Sequence, residues 1–472
     1  MRKNRRVSAL KKNKEKHTSM KKESLLIKNG TVITLGKKNK IIHNGAVFIE
    51  ENIIKKIGKP SDLKDIEKPA EVIDAKGRLI MPGFINAHMH FYSTFARGIV
   101  PKQPAAENFL EILEKLWWPL EKALNEKDIY YSTIVPVING IKRGTTTFFD
   151  HHESQGVQKG VMDVIEKAVR EVGARASLSL GVSDRYGKGK DGIKENIRFI
   201  EKINKHKKLT KDELITAMFG LHALFTVNNA SLNESAAAAK SLGVGFHVHI
   251  AEDLCDEIIN DDKYGKRAIT RIYDAGGLGK NTLAVHCIHL NDEEIDLIAS
   301  THTAVVHNPQ SNMNNAVGAA NVLKMIGRKI TVGLGTDGMS PGMQDDVRVA
   351  NILHKHNCKD PRVFFCESCQ LLLENNAKIA DRFFSKKLGE LKEGAYADII
   401  LVDYLAPTPL NESTFFGHFL FGICEAQVNT TIINGKVLMK DGKLLHIDEE
   451  KIFAKSRKQA ENFWKRFYLK TF

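Results

Sequence analysis

The stretch Met81-Pro82-Gly83-Phe84-Ile85-Asn86-Ala87-His88-Met89-His90 decides the fold, because an apolar, strand-like segment ends here in two histidines. Alternate residues of an extended segment share a face, so His88 and His90 point to the same side. Two imidazoles on one face suit a borderline divalent cation such as zinc. A His-x-His pair alone is weak evidence for a metal site, so further ligands are needed elsewhere in the chain.

Other apolar strand patterns of the chain also end in polar residues. Three of them end in His249, His286 and Asp337, and Glu252 follows His249 by three residues. A polar or charged side chain at the end of an apolar strand is more typical of a metal ligand than of a residue that only stabilises the fold. Histidine nitrogens with one aspartate oxygen are typical of a catalytic metal site that keeps room for water, whereas structural sites favour cysteine.

Residues 83–390 alternate short β-rich segments with amphipathic stretches of helical length. This alternation predicts an α/β fold with a parallel sheet and helices outside it. With the segment ending near His88, eight strands are predicted, the number that closes a (β/α)8 TIM-like barrel whose chemistry collects at the carboxyl ends of its strands. The other predicted strands are Thr145–Asp150, Ala174–Leu180, Ala217–His222, Gly245–His249, Thr282–His286, Ala304–Asn308 and Thr331–Asp337, and predicted helices include Ser231–Leu242, Asp292–Ser300 and Ala316–Ile326.

Both ends of the chain show short apolar runs broken by turn signals, with no room for helices between them. These runs predict strands in residues 23–82 and 391–449. The two ends could join into one small β-sandwich domain, which would leave residues 83–390 as the barrel domain. Residues 450–472 show a charged amphipathic pattern that predicts a C-terminal helix packed on the outside.

The composition is that of an ordinary globular protein, with 472 residues, 42% hydrophobic and 27% charged. No apolar stretch approaches the ~20 residues that a membrane span needs. Residues 1–22 hold ten Lys or Arg and one acid, so of the net charge of +14 only +5 remains for the other 450 residues. Blocks of like charge are typically disordered, so we predict a disordered basic tail rather than a nucleic-acid-binding arm, with Met20 as an alternative start. Six scattered cysteines fit a reducing cytoplasm.

The polar strand ends lie within longer sequence words that occur in a fixed order. Besides the His pair, Glu252 and Gly335-Thr336-Asp337-Gly338, these words are Leu79-Ile80-Met81-Pro82-Gly83-Phe84, Gly144-Thr145-Thr146-Thr147, His307-Asn308-Pro309-Gln310-Ser311-Asn312 and Gly389-x-Leu391-x-x-Gly394-x-x-Ala397-Asp398. Over roughly residues 23–445 the chain resembles the amidohydrolase superfamily, in its branch of cyclic deaminases and chlorohydrolases. Residues 86–98 are most similar to SsnA-type aminohydrolases.

The resemblance implies that one divalent metal is held by four residues of the strand ends. We expect zinc, although iron or manganese would also fit the ligand set, which is His88, His90, His249 and Asp337. Relatives with two metals use a bridging carboxylated lysine at the end of the fourth strand. The corresponding segment of this chain ends in His222 and holds no lysine, which favours a single metal.

The resemblance also implies roles for the remaining polar residues. Glu252 would carry the proton from water to the leaving nitrogen, His286 would hold the hydroxide or polarise the substrate, and Asp337 would orient the water. Three further residues are candidates for substrate binding, each with a structural alternative: His222 (or a strand-end cap), Arg97 (or a charge on a helix face) and Trp117 (or simple packing).

The predicted function is a metal-dependent aminohydrolase that acts on carbon–nitrogen bonds other than peptide bonds. Attack at a ring carbon that bears an amino group would release ammonia from a purine-like or other nitrogen heterocycle. The alternative within the same chemistry is ring opening of a cyclic amide in purine degradation, which yields a carboxylate without ammonia. The alternative of another class is an inactive barrel that only binds. A homodimer is expected because relatives of this kind are often dimers.

Overall fold

The computed structural model describes residues 23–66 and 69–470. The predicted disordered tail, residues 1–22, lies outside these ranges, and so do the last two residues of the predicted C-terminal helix. Within the described part of the chain, no helix is both long enough and apolar enough to cross a membrane.

The two ends of the chain pair in one mixed sheet of nine strands. Its strands are β1 (Ser24–Ile33), β2 (Ile41–Glu50), β3 (Ile53–Gly58), β4 (Glu71–Asp74), β5 (Leu79–Pro82), β15 (Ile399–Asp403), β16 (Gln427–Ile433), β17 (Lys436–Lys440) and β18 (Lys443–Leu444). The strand order is β18-β17-β16-β15-β5-β1-β2-β3, and β4 pairs with β1. The two ends meet where β15 runs antiparallel to β5, with Ile400 opposite Met81.

The middle of the chain holds nine parallel strands in two sheets, of four and five strands. The first sheet is β6 (Phe84–Met89), β7 (Thr145–His152), β8 (Arg175–Leu180) and β9 (Ile215–Ala217); the second is β10 (Phe219–Ala223), β11 (Phe246–Ile250), β12 (Leu283–His286), β13 (Ala304–His307) and β14 (Val332–Leu334). The predicted strand Ala217–His222 is wrong as one element. The chain pairs with β8 as far as Ala217 and with β11 from Phe219, so the segment divides at Met218.

Backbone hydrogen bonds connect the two parallel sheets at both of their edges. At one edge Thr336 N donates to His88 O at 2.9 Å, and Met89 forms a parallel bridge with Asp337. At the other edge Val182 N donates to Gly220 O at 3.1 Å and His222 N donates to Val182 O at 3.0 Å. The site residues of the first and last strands are therefore held side by side.

Helices follow the parallel strands, and several of them start at a capping Asn or Asp. The helix at 292–300 has the predicted bounds, because Asn291 and Glu294 form a capping box. The predicted helix Ala316–Ile326 is wrong in its first half: Ala316 and Gly318 adopt positive φ, and the helix starts at Val322. The helices are α1 (Phe109–Ile112), α2 (Trp118–Ala123), α3 (Glu126–Lys142), α4 (Val161–Val172), α5 (Gly189–Thr210), α6 (Asn229–Leu242), α7 (Leu254–Tyr264), α8 (Ala268–Asp274), α9 (Asp292–Ser300), α10 (Pro309–Asn314), α11 (Val322–Gly327), α12 (Met343–Cys358), α13 (Phe365–Gln370), α14 (Asn376–Ala380), α15 (Phe415–Phe421) and α16 (Glu449–Lys470). A π-helical turn, Leu113–Trp117, joins α1 to α2.

The apolar core consists of several clusters of buried side chains. One cluster belongs to the nine-stranded sheet and contains Ile27 and Val47, and another lies inside the parallel strands and contains Val285. The largest cluster extends across the junction, because it includes Met81 of the nine-stranded sheet and Phe148 of the parallel strands. The parallel strands are buried on both faces, as expected for strands covered by helices outside and packed on each other inside.

Candidate active site

Imidazoles and a carboxylate converge where four of the parallel strands end. One possible ligand atom from each of His88, His249, His286 and Asp337 lies within 4.8 Å of the others. His90 belongs to the same cluster, because its Nε2 lies 2.9 Å from Asp337 Oδ1 and 3.2 Å from His249 Nε2. All five residues are buried, the most exposed being His90 and Asp337 at 8% each. The structure thus brings together every residue predicted to bind metal.

The strand ends reach this geometry through an unusual backbone. Ala251, His286 and Asp337 all adopt positive φ, which is uncommon for residues with a Cβ and is found preferentially at functional sites. The glycine of the Gly335-Thr336-Asp337 word is required by close packing. A Cβ at Gly335 would lie 2.4 Å from Asn308 Oδ1 and 2.8 Å from His88 O, so no larger residue fits there.

Contacts on the far side of each ring determine which nitrogen faces the cluster. His90 Nδ1 donates to the carbonyl of His151, and His249 Nδ1 donates at 2.6 Å to the carbonyl of His222. Because Nδ1 carries the hydrogen in both rings, each Nε2 presents a lone pair to the cluster, as a metal ligand must. His88 Nδ1 is held at 2.8 Å from His247 Nε2, which orients the third ring.

His286 is held in a different way from the other imidazoles. Asn312 Nδ2 donates to His286 Nδ1 at 2.8 Å, so the hydrogen of a neutral ring lies on Nε2. That Nε2 lies 3.3 Å from Glu252 Oε2. His286 can therefore donate a hydrogen bond into the site, whereas His90 and His249 can accept or ligate there.

The surroundings of Asp337 and Glu252 shift the pKa values of these two carboxyl groups in opposite directions. Burial alone would raise the pKa of Asp337, but the imidazoles of His88 and His90 outweigh it and hold that pKa well below its ordinary value. Burial raises the pKa of Glu252 well above its ordinary value, and the nearby carboxylates of Asp337 and Asp256 raise it further. Asp337 is thus suited to remain an anionic ligand, and Glu252 is suited to hold and release a proton.

A cavity opens directly above the cluster. Two of the three predicted substrate-binding residues, Trp117 and His222, line it. Arg97 is exposed and is not among the lining residues, so its contact with substrate stays a prediction. The wall consists of His90, Tyr92, Phe109, Leu113, Trp117, Glu121, His222, Ala223, Phe225, His249, Glu252, Asp256, Ser311, Asn314, Asn315, Asp337, Gly338 and Met339.

His222 presents a neutral ring to the cavity. Burial lowers its pKa well below 6.5, and the charge of Arg185 lowers it further. Thr226 Oγ1 donates to Ala223 O at 2.9 Å and accepts from His222 Nδ1 at 2.8 Å, which leaves His222 Nε2 as an acceptor.

Several residues of the site escaped the sequence analysis. His247 orients His88, Ser311 Oγ donates to Asp337 Oδ2, and Asn312 fixes the ring of His286. Ser311 and Asn312 belong to the 307–312 word, which the sequence analysis singled out without giving either residue a role. Glu121 of the cavity wall follows Trp117 by one helical turn and carried no signal of its own.

The donor set fits a divalent metal ion. Within the described residues, His88 Nε2 is buried without a hydrogen-bond partner, an arrangement that costs free energy unless another group is bound nearby. Nitrogen and carboxylate donors with space beside them are the composition of a catalytic rather than a structural metal site. The residues present therefore suit the metal that the sequence predicted.

Comparison with known proteins identifies the chain. The profile of the amidohydrolase family matches residues 79–438. The chain belongs to the amidohydrolase family. It is 34% identical to the 5-methylthioadenosine/S-adenosylhomocysteine deaminase of Pelotomaculum thermopropionicum, over 93% of this chain and 98% of that protein. It is also 34% identical to the 5'-deoxyadenosine deaminase of Methanosarcina mazei, with the same coverage of 93% and 98%.

Solved structures of other amidohydrolases share the fold. An adenosine deaminase from Xanthomonas campestris with bound zinc superposes with a TM-score of 0.82 at 22% identity, covering 93% of this chain and 98% of that one. An atrazine chlorohydrolase from Arthrobacter aurescens complexed with zinc gives a TM-score of 0.78 at 19% identity, covering 92% and 100%.

Family membership confirms the predicted class of enzyme. This amidohydrolase is a metal-dependent hydrolase that acts on carbon–nitrogen bonds. The predicted branch of deaminases and chlorohydrolases is also confirmed, because the relatives and structural neighbours carry these names. The narrower likeness to SsnA-type enzymes stays a prediction.

Proposed function

We propose that this amidohydrolase deaminates the adenine ring of 5'-modified adenosines and releases ammonia. The observation that carries the proposal is the placement of Glu252 Oε2, at 3.3 Å from His286 Nε2 on the edge of the His/Asp cluster. A proton carrier beside a hydrogen-bond donor is what removal of a ring amino group requires. The names of the two relatives, a 5-methylthioadenosine/S-adenosylhomocysteine deaminase and a 5'-deoxyadenosine deaminase, support this substrate class.

The ligand set that we propose is His88, His90, His249 and Asp337, holding one zinc ion. A divalent cation held by these residues would lower the pKa of water from 15.7 toward ~7 and so supply hydroxide at neutral pH. The contacts to Nδ1 of His90 and His249 keep their Nε2 lone pairs available, and Ser311 fixes the second oxygen of Asp337. No lysine lies among the residues of the cluster or the cavity wall in the described ranges, which supports a single metal.

Protons are moved by the chain's own residues. Glu252 accepts the proton of the attacking water and then passes it to the leaving amino group. Its raised pKa favours the protonated form that this second step needs. His286 donates from Nε2 to the oxygen that attacks, so that the oxygen is held between the imidazole and the ring carbon.

The cavity wall offers contacts for both parts of a nucleoside. His222 Nε2 accepts a hydrogen bond from the purine, and Trp117 packs against the substrate with its ring. The carboxylate of Glu121 is an acceptor for sugar hydroxyls; it is only 1% exposed and lies in the wall beside Tyr92.

We propose further that the two parallel sheets form one closed (β/α)8 barrel over residues 83–390. The support comes from the hydrogen bonds at both edges, between Thr336 and His88 and between Val182 and Gly220. Residues 23–82 and 391–449 would form the second, composite β-domain. A homodimer and a cytoplasmic location stay predictions.

The test is to supply purified, zinc-loaded protein with 5'-deoxyadenosine and 5'-methylthioadenosine, and to measure ammonia together with the corresponding inosine. We expect one ammonia for each inosine formed, and chelation of the metal should abolish both products. A new carboxylate without ammonia from a cyclic amide would instead favour ring opening. No turnover of any substrate, with tight binding of a nucleoside, would favour the inactive barrel.

A further inference from the structure

The charge of the cavity wall restricts which adenosines can enter. Four of its side chains are carboxylic acids, namely Glu121, Glu252, Asp256 and Asp337. Among the described residues that line the cavity there is no Lys and no Arg. An anionic substituent would therefore be buried without a cationic partner, and an unpaired buried charge is costly.

Two cations that adjoin residues of the wall already have carboxylate partners. Arg185 Nη2 donates to Glu121 Oε2 at 2.8 Å and lies 3.7 Å from Glu153 Oε2, so two carboxylates compensate one guanidinium. Lys115, on the π-helical turn between Leu113 and Trp117, pairs with Glu111 at 2.6 Å. Neither cation is available for a substrate without loss of an existing ion pair.

The part of the cavity away from the His/Asp cluster is apolar. Phe109, Leu113, Ala223 and Phe225 are buried members of one hydrophobic cluster, and Trp117 packs against it. With the purine held at the His/Asp cluster, the 5' substituent of the sugar extends toward these side chains. They can bury a methyl or thioether group but offer no hydrogen bond to a carboxylate or phosphate.

Building on the proposed function, we infer that this enzyme selects adenosines with an uncharged 5' substituent and discriminates against those that carry a carboxylate or phosphate there. Leu113, Phe109 and Phe225 are the residues that set this preference. Adenosine monophosphate and S-adenosylhomocysteine, which carry such groups, should be poor substrates beside 5'-methylthioadenosine and 5'-deoxyadenosine.

The test compares two substrates of nearly the same shape, adenosine-5'-carboxamide and adenosine-5'-carboxylic acid, with the zinc-loaded enzyme. We expect kcat/KM for the amide to exceed that for the acid by about 10²-fold or more. Values within about threefold of each other would overturn the inference while leaving the proposed deamination intact. If no adenosine at all is deaminated, the proposed function fails and this inference fails with it.

A cation placed in the apolar wall should weaken the preference for the uncharged substrate. Leu113→Lys should lower the amide-to-acid ratio of kcat/KM by about tenfold or more, since the ammonium can pair with the carboxylate. Leu113→Met, similar in length and uncharged, is the matched control and should keep the ratio of the unmodified enzyme. An unchanged ratio in a folded, zinc-containing Leu113→Lys protein would overturn the assignment of this wall as the determinant. Should Leu113→Lys fail to fold, the substrate pair with the unmodified enzyme still decides.

Discussion

Glu252 and Asp337 lie in the same cavity but have different partners. Asp337 contacts imidazoles and the Ser311 hydroxyl, whereas Glu252 contacts His286 and the amide of Asn315. Glu252→Gln should therefore keep the metal and reduce turnover by about 10²–10⁴-fold, the usual contribution of a positioned acid–base group. Metal content by elemental analysis and kcat with 5'-deoxyadenosine check this.

Asp337→Ala is the matched comparison for Glu252→Gln. It should lose metal affinity together with rate, since a proposed ligand is removed. If the Glu252→Gln protein instead lost its metal and recovered full rate when metal was resupplied, Glu252 would be a ligand and the proton-carrier role would be wrong.

His354 should make stability depend on pH through its burial. Burial lowers its pKa to about 4, and its ring stacks on Phe364 and lies 3.2 Å from His307 Nε2. Because the folded-state pKa is the lower one, the unfolded chain binds the proton first, and stability is lost as pH falls from about 6.5 toward 4. His354→Gln should weaken the loss of unfolding free energy between pH 7 and pH 5 by about 2 kcal/mol.

Urea unfolding at the two pH values measures this difference. His356→Gln, which removes an exposed histidine from the same helix, is the control for loss of an imidazole as such. Equal pH dependence of the unmodified and His354→Gln proteins would show that His354 takes up its proton in the folded state without penalty.

The residues predicted to bind metal could be found from the sequence, and their supporting residues could not. His88, His90, His249 and Asp337 each end a strand pattern, which fixes their place at the edge of a parallel sheet. His247 and Asn312 act through contacts with residues distant in sequence, His88 and His286. Such contacts depend on three-dimensional packing, and no period or spacing in one sequence encodes them.

Strands and helices were predictable to the extent that their signals are local. The capping box at Asn291 fixes the start of α9, and the Gly335-Thr336-Asp337 word marks the end of the last parallel strand pattern. The division of the predicted fourth strand at Met218 was not predictable. It arises because the segment pairs with β8 on one side and β11 on the other, and neither partner can be read from the segment itself.

A fully buried carboxylate is one of the contacts that hold the C-terminal helix α16 on the rest of the enzyme, beside the buried rings of Phe463 and Phe467. Asp128 Oδ1 accepts from Gln459 Nε2 at 2.6 Å, while Asp128 Oδ2 accepts from Arg466 and from the backbone NH of Asn125 at 2.8 Å. Asp128→Ala should lower the free energy of unfolding by about 2–4 kcal/mol, since it removes a buried acceptor with two charged or polar side-chain partners and a helix cap together. Denaturant unfolding measures the loss.

Hydrogen exchange separates detachment of α16 from general destabilisation. Amide protons of residues 449–470 should exchange faster in Asp128→Ala, while those of the nine-stranded sheet stay protected. Asp128→Asn keeps an acceptor for Gln459 and should lose less stability. Uniform exchange across the molecule would contradict this local role of Asp128.

The helix α16 also contacts the segment that follows the metal-site strand β6. Trp464 donates to the carbonyl of Phe95, five residues after His90.

At the scale of the whole molecule, the sequence predicted that the two chain ends could join through their strands, but it did not predict which strands pair or in which register. Both ends showed β-type texture, and β15 indeed pairs with β5. The ion pair between Asp398 and Arg175, which connects this sheet with the parallel strands, could not be predicted from the sequence. Asp398 belongs to the 389–398 word, but its partner Arg175 lies 223 residues away at the start of β8.

Arg175 and Asp398 form a buried ion pair between the nine-stranded sheet and the parallel strands. The side chains are 0% and 2% exposed, with two hydrogen bonds of 2.8 and 3.0 Å between them. Arg175 also donates to Glu213 O at 3.0 Å and to Asn434 Oδ1 at 3.1 Å, and it lies over the ring of Tyr396. Each of the three guanidinium nitrogens therefore donates at least one hydrogen bond within the protein.

Removing one partner of this pair should cost more than removing both. Arg175→Met leaves the Asp398 carboxylate buried without its cation, and we expect a loss of about 3–5 kcal/mol in the free energy of unfolding. The double variant Arg175→Met with Asp398→Leu replaces both charges by apolar groups and should recover part of that loss. Urea unfolding, followed by both fluorescence and circular dichroism, measures each free energy. It also shows whether the nine-stranded sheet and the parallel strands still unfold together. Strictly additive losses in the two single variants and the double variant would mean that the ion pair contributes nothing to the contact between the sheets.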